Sequence, residues 1–121
     1  MPYIKIMHAV IETPTFIRKC RHYQISDRDR EAIIDFVANN PDAGDLIRGS
    51  GGARKLRFAA PGRGKSGGYR VVTFYSGEDI PVFLLSIFAK GDKANLTDSE
   101  VNVLRTVLRT LADEYRRRTQ P

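Results

Sequence analysis

Three runs of strand-like residues, 54–59, 69–75 and 82–89, follow one another with only short connections. Such runs cannot pair in parallel without long crossovers, so the pattern demands an antiparallel sheet. In the first run Leu56 and Phe58 alternate with Lys55 and Arg57, giving one face to a core and one to water. Ser76, Gly77, Glu78 and Asp79 have the composition of a hairpin turn between the second and third runs. In the third run strict alternation puts Phe83, Leu85 and Ile87 on one face, with Val82, Leu84, Ser86 and Phe88 on the other. Both faces are mostly apolar, which assigns this strand to the interior of the sheet.

The flanking segments read as helices and one more strand. Residues 3–11, YIKIMHAVI, are apolar and rich in β-branched types and predict a strand. Thr13 then offers an N-cap oxygen, and Pro14 occupies a first-turn position where its missing N–H costs nothing, so a short helix runs to His22. Ser26 opens a second helix, with Asp27 and Asp29 favouring its positive end. Its stripe is Ile33, Ile34 and Val37 with Ala32 and Phe36 beside them, and Asn39-Asn40-Pro41 stops it. Residues 42–53 hold four glycines and read as a loop. Thr97 and Glu100 form a capping box, with Leu96 and Val101 as its hydrophobic staple. Val101, Leu104, Val107, Leu108, Leu111 and Tyr115 form the core stripe of the last helix. Arg116 to Arg118 at its end suit the helix dipole. The expected order is β-α-α-β-β-β-α. This is an α+β fold: a mostly antiparallel sheet with N-terminal helices and a C-terminal helix packed on it.

A chain of 121 residues suits one domain, 1–121. At that size roughly two thirds of the unfolded surface is buried, enough for a real core. The most apolar run, 80–89, is strand-sized and contains Pro81 and Ser86, so no membrane span is expected. The first ten residues, MPYIKIMHAV, have neither a basic n-region nor an apolar h-region, so no signal peptide is expected. A single cysteine, Cys20, excludes an intramolecular disulfide framework and suits a reducing, cytoplasmic setting.

Charge is not spread evenly. Residues 46–77 hold seven basic side chains and no acid, while the remainder holds thirteen basic residues against all fourteen acids. The whole net charge of +6 therefore sits in one window, and a polyanion is its natural partner. Gly64-Lys65-Ser66 invites a P-loop reading, which fails: Ala59 stands where the first glycine is needed, and the loop joins two strands rather than a strand and a helix. Cys20, His22 and His8 match no usual metal-ligand spacing, and no metal or cofactor is expected. Neither histidine lies in the basic window. Arg57, Arg70 and Lys90 sit near the ends of three successive strands, with Lys65 on the loop between the first two and Lys93 just past the third. A merely solvated basic face does not require that distribution, and an anion site does.

These residues resemble the RelE/ParE superfamily of bacterial toxins from type II toxin–antitoxin pairs, and within it the HigB-like branch. The matching pieces are Arg54-Lys55-x-Arg57, Gly64-Lys65-Ser66-Gly67-Gly68-x-Arg70-Val71, and Phe88-Ala89-Lys90 leading through Lys93 into Leu96-Thr97. The resemblance implies a small basic α+β domain that enters the ribosomal A site and cuts mRNA there. It implies neutralisation by a cognate antitoxin, a helix-turn-helix protein of the HigA-like kind, with operator DNA contacted only through that antitoxin. Phe88 fills the place of an aromatic near the end of the last strand, without a tyrosine's proton. ParE-type members inhibit DNA gyrase instead and are the alternative. The basic loop at Arg63 and Lys65 and the strand-end Lys90 favour the nuclease branch.

RNA cleavage needs no metal if its own 2′-OH attacks the adjacent phosphorus. The enzyme must orient that hydroxyl, take its proton, stabilise the added negative charge and protonate the leaving 5′-oxygen. Arginine suits the charge role, because guanidinium binds phosphate oxygens in pairs and stays charged. The expected catalytic set is Arg57, Lys65, Arg70, Lys90 and Lys93, with the lysines as candidates for proton transfer. Arg54, Lys55, Arg63 and Phe88 are the expected RNA-binding set. The window has no His/Glu pair, which predicts weak activity on free RNA; dependence on the ribosome is what the resemblance implies.

Overall fold

The structure is a computed structural model and describes residues 8–59, 68–91 and 96–119. Lys65, Arg63 and Lys93 lie outside the described residues, as does most of the expected first strand. The elements are β1 (Val10–Glu12), α1 (Pro14–His22), α2 (Asp27–Asn39), β2 (Asp45–Leu46), β3 (Ala53–Phe58), β4 (Tyr69–Phe74), β5 (Val82–Ala89) and α3 (Asp98–Thr119). They form the expected α+β architecture. The sheet order is β1-β5-β4-β3-β2, antiparallel except that β1 pairs in parallel with β5. β5 is interior, as its two apolar faces require. No helix among the described residues is long and apolar enough to cross a membrane.

The helix starts follow their capping residues. Thr13 Oγ1 accepts from the Phe16 N–H, Ser26 Oγ accepts from the Asp29 N–H, and the Thr97–Glu100 box closes in both directions. Thr13 also donates to the Leu84 carbonyl at 2.8 Å, which ties the start of α1 to β5. α2 ends at Asn39, as its Asn-Asn-Pro sequence predicts.

Three expectations need correction. The 42–53 segment is not only a loop: Asp45 and Leu46 add a short strand beside Lys55 and Arg54. Gly44 makes this possible. Its φ is +95°, and a Cβ there would lie 2.7 Å from the Lys55 carbonyl oxygen. Ser50 then fixes the turn, donating to the Ile47 carbonyl and accepting from the Ala53 N–H. Second, Val107 is 48% exposed, so it does not belong to the buried stripe of the last helix. Third, alternation along β5 is broken by a bulge opposite Val72 and Thr73, whose partners are Ser86 and Leu84. Leu85 is the extra residue. Val82 and Leu84 consequently share a face with Ile87, and Phe83 and Leu85 share the other with Phe88.

Two cores result, one on each face of the sheet. Phe16, Cys20, Ile33 and Val37 from α1 and α2 pack on Val71, Leu84 and Ile87. Leu108 and Ala112 from α3 pack on the opposite face against Val72, Phe83 and Phe88. Arg116, read from sequence only as a complement to the helix dipole, has a specific partner. Its Nε donates to Asp79 Oδ2 at 2.6 Å and its Nη2 to the Ser76 carbonyl at 3.0 Å, clasping the end of α3 to the turn before β5. The Arg116 hydrogen bond holds the Asp79 carboxyl below its ordinary value.

Burial, with a smaller contribution from the Glu12 charge, pushes the Cys20 thiol up to about 11. The thiolate is then about a hundredfold scarcer at neutral pH than for an ordinary thiol. Native protein at pH 8 is expected to react with Ellman's reagent at least about a hundredfold more slowly than protein unfolded in guanidinium. A rapid native reaction would show that the α1 face opens.

Candidate anion-binding site

β3 and β4 are held in a register that sets Arg57 directly opposite Arg70, and β4 and β5 in one that sets Arg70 opposite Phe88. Cross-strand partners share a face, so these three side chains form one row on the α3 side of the sheet. The ladder continues one step past Ala89, where the Lys90 N–H donates to the Gly68 carbonyl at 3.1 Å. Lys90 therefore stands just past the end of β5, at the same end of the sheet as Arg57 and Arg70. Arg57 and Lys90 are exposed, and Arg70 is half-buried. Without the β5 bulge, the alternation that places Val82 and Leu84 on the α1 face would carry Phe88 there too. The bulge is what brings it under α3, beside Arg70.

Two like charges directly opposite on neighbouring strands oppose folding by roughly 0.2–1 kcal/mol. Among the described residues Arg57, Arg70 and Lys90 have no ion-pair partner, whereas Arg30 pairs with Glu12 and Arg116 with Asp79. The repulsion is relieved when an anion enters between the guanidinium groups. The next row on the opposite face is Phe58, Tyr69 and Ala89.

The remaining sequence candidates divide. Arg54 donates from Nη1 to the Gly44 carbonyl at 3.0 Å and so braces the β2 turn. Lys55 is half-buried on β3, opposite Val72 and Asp45. Phe88 is a correction. It is 3% exposed within the core under α3, so its ring is packing and not a platform on which a base stacks. His8 lies at the far end of the sheet, where Tyr75 Oη and His8 Nε2 are 3.3 Å apart. A hollow of about 650 Å³ lined by His8, Glu78, Asp79 and Tyr115 sits at that far end, away from the basic row.

Sequence reasoning missed an aromatic stack at the near end. The ring of Tyr23 meets that of Tyr69 edge-on at 5.7 Å, and His22 meets Tyr23 at 4.9 Å. It props the end of α1 against the residue next to Arg70. Nothing in the local sequence announces it, because the partners are forty-six positions apart in the chain.

The fold has a solved counterpart. A mutant of the E. coli toxin RelE in the free state superposes with a TM-score of 0.53 over 83% of this chain and 95% of that one, at 18% identity. At that identity the likeness speaks for the fold. The sequence itself matches the family model described as the RelE toxin of the RelE/RelB toxin–antitoxin system over residues 8–120, which takes in every element of the sheet and all three helices. This chain belongs to the RelE toxin family.

Proposed function

We propose that this chain is the toxin of a type II toxin–antitoxin pair, of the HigB-like branch, and that it cleaves mRNA on the ribosome without a metal. It acts in the cytoplasm, and a cognate HigA-like helix-turn-helix antitoxin neutralises it and carries any contact with operator DNA. The observation that carries the reading is the Arg57–Arg70 pair, two opposed cations on adjacent strands with Lys90 at the same open end. A phosphate held between the guanidinium groups becomes more negative as the 2′-oxygen attacks, and both arginines bind it more tightly at that moment. The 2′-OH proton leaves to a base, the P–O5′ bond breaks, and the departing oxygen takes a proton from an acid. The products are a 2′,3′-cyclic phosphate and a 5′-hydroxyl. Lys65, Lys90 and Lys93 are the candidates for the two proton transfers. Arg54, Lys55 and Arg63 add phosphate contacts that hold the message without entering the reaction.

Inducing the chain in growing cells and mapping mRNA 5′ ends tests this. New 5′-hydroxyl ends are expected within minutes in translated messages and not in untranslated RNA. Intact messages with accumulating gyrase-dependent DNA breaks would overturn the nuclease reading and establish the ParE-like one.

A further inference from the structure

One threonine grips the irregularity on which the basic row depends. The extra residue of the β5 bulge, Leu85, lies between Leu84, opposite Thr73, and Ser86, opposite Val72. An extra residue is left without ladder partners, so a bulge persists where something else satisfies its backbone. Thr13, between β1 and α1, does so. Its N–H and its hydroxyl both donate to the Leu84 carbonyl, at 3.1 and 2.8 Å, and the same Oγ1 lies 3.2 Å from the Leu85 carbonyl. Successive carbonyls of a regular strand point to opposite sides, so one hydroxyl that reaches two in a row holds the kinked backbone itself. The Phe16 N–H donates to that oxygen at 3.3 Å, so the group that starts α1 also seats the bulge.

Everything later on β5 takes its place from this point. With the bulge seated, Arg70 faces Phe88, and the Lys90 N–H reaches the Gly68 carbonyl. If the ladder instead absorbed Leu85, the Thr73–Leu84 register would continue unbroken and pair Arg70 with Ile87. Phe88 would turn to the α1 face, and Lys90 would move one residue, about 3.4 Å, along the strand. That slip is large beside the roughly 1 Å of misplacement that costs about a hundredfold in rate. The polar group on the opposing strand gives no comparable hold. Thr73 is 1% exposed, and its Oγ1 has no hydrogen-bond partner among the described residues.

We infer that Thr13 is a positioning residue for the cleavage: through the Leu84 and Leu85 carbonyls it sets the register that places Arg70 and Lys90. The inference rests on the nuclease reading above. It gives the N-cap of α1 a second task, carried out by the hydroxyl proton rather than by the oxygen lone pair.

The test uses the full chain and substitutions that separate the two tasks. Thr13→Ser keeps both, since serine caps and donates. Thr13→Asp keeps only the cap, since a carboxylate accepts from the Phe16 N–H and has no proton to give. Thr13→Val keeps neither. Thr73→Val removes a hydroxyl across the same bulge and is the control. Cross-strand backbone Overhauser contacts read the register directly. In Thr13→Asp and Thr13→Val the Arg70–Phe88 contact should lose at least about half its intensity, while the Ala53–Phe74 contact between β3 and β4 stays. Single-turnover cleavage on programmed ribosomes should slow roughly tenfold or more, with ribosome affinity within about twofold. Thr13→Ser and Thr73→Val should keep the parental contacts and a rate within about twofold. A parental Arg70–Phe88 contact or rate in Thr13→Asp overturns the inference, as does equal slowing in Thr13→Ser or Thr73→Val. Loss of the Ala53–Phe74 contact, or a fall in affinity that matches the fall in rate, also overturns it, because Thr13 would then serve general stability. A parent chain that cuts no message strikes the nuclease reading instead, and the Overhauser contacts then decide the clamp by themselves.

Discussion

Arg70→Ala is expected to slow single-turnover cleavage of mRNA on programmed ribosomes by roughly a hundredfold or more, the scale for removing one preorganised donor to a developing oxyanion. Ribosome affinity should fall far less, because the other basic residues of the window still hold phosphates. Stability should stay the same or rise by up to about 1 kcal/mol, since Arg70 faces Arg57 and the variant removes a like-charge pair. That opposite movement of activity and stability separates a site residue from a structural one. Lys55→Ala, whose proposed part is confined to binding the message, is the control and should change the rate by less than about tenfold. If Arg70→Ala loses affinity and rate in equal measure, Arg70 only binds, and charge stabilisation falls to Arg57 and the lysines.

Leu108→Ala should have the largest effect on stability. Leu108 is 1% exposed at the centre of the α3 core, and truncating such a leucine costs about 2–5 kcal/mol. In a domain of this size that lowers the melting temperature by roughly ten degrees or more. Val107→Ala, the next residue along, is the contrast. Its side chain is 48% exposed, and the change should stay within about 0.5 kcal/mol. Chemical denaturation of both variants checks the pair. Equal losses would mean that α3 turns its Val103–Val107 flank toward the sheet.

Most of the architecture was legible because its determinants are local. Thr13, Ser26 and Thr97 accept hydrogen bonds from N–H groups three residues ahead, so the cap and the helix start are written together in a few positions. The alternation of Leu56 and Phe58 with Lys55 and Arg57 fixes the two faces of β3 by backbone geometry alone. The clustering of the whole net charge in residues 46–77 is likewise a property of one contiguous window.

What the chain alone left open depended on partners distant in sequence. Strict alternation assigned Phe88 to the same face as Val82 and Leu84. The bulge at Leu85 reversed that, and a bulge exists only as a mismatch between two paired strands. The pairing of Arg57 with Arg70 likewise requires a register between two strands. Val107 and Leu108 are adjacent in one apolar stripe by periodicity, and only the angle at which α3 lies on the sheet buries one and exposes the other. Strand β2 waited on Gly44, because a left-handed residue matters only where another backbone comes within reach of the missing Cβ. The sequence determined the three helices and the three long strands, and it concentrated the net charge in one window. The tertiary structure decided which side chains share a face, because register, bulge and helix rotation are settled by contacts between segments that local preferences do not contain.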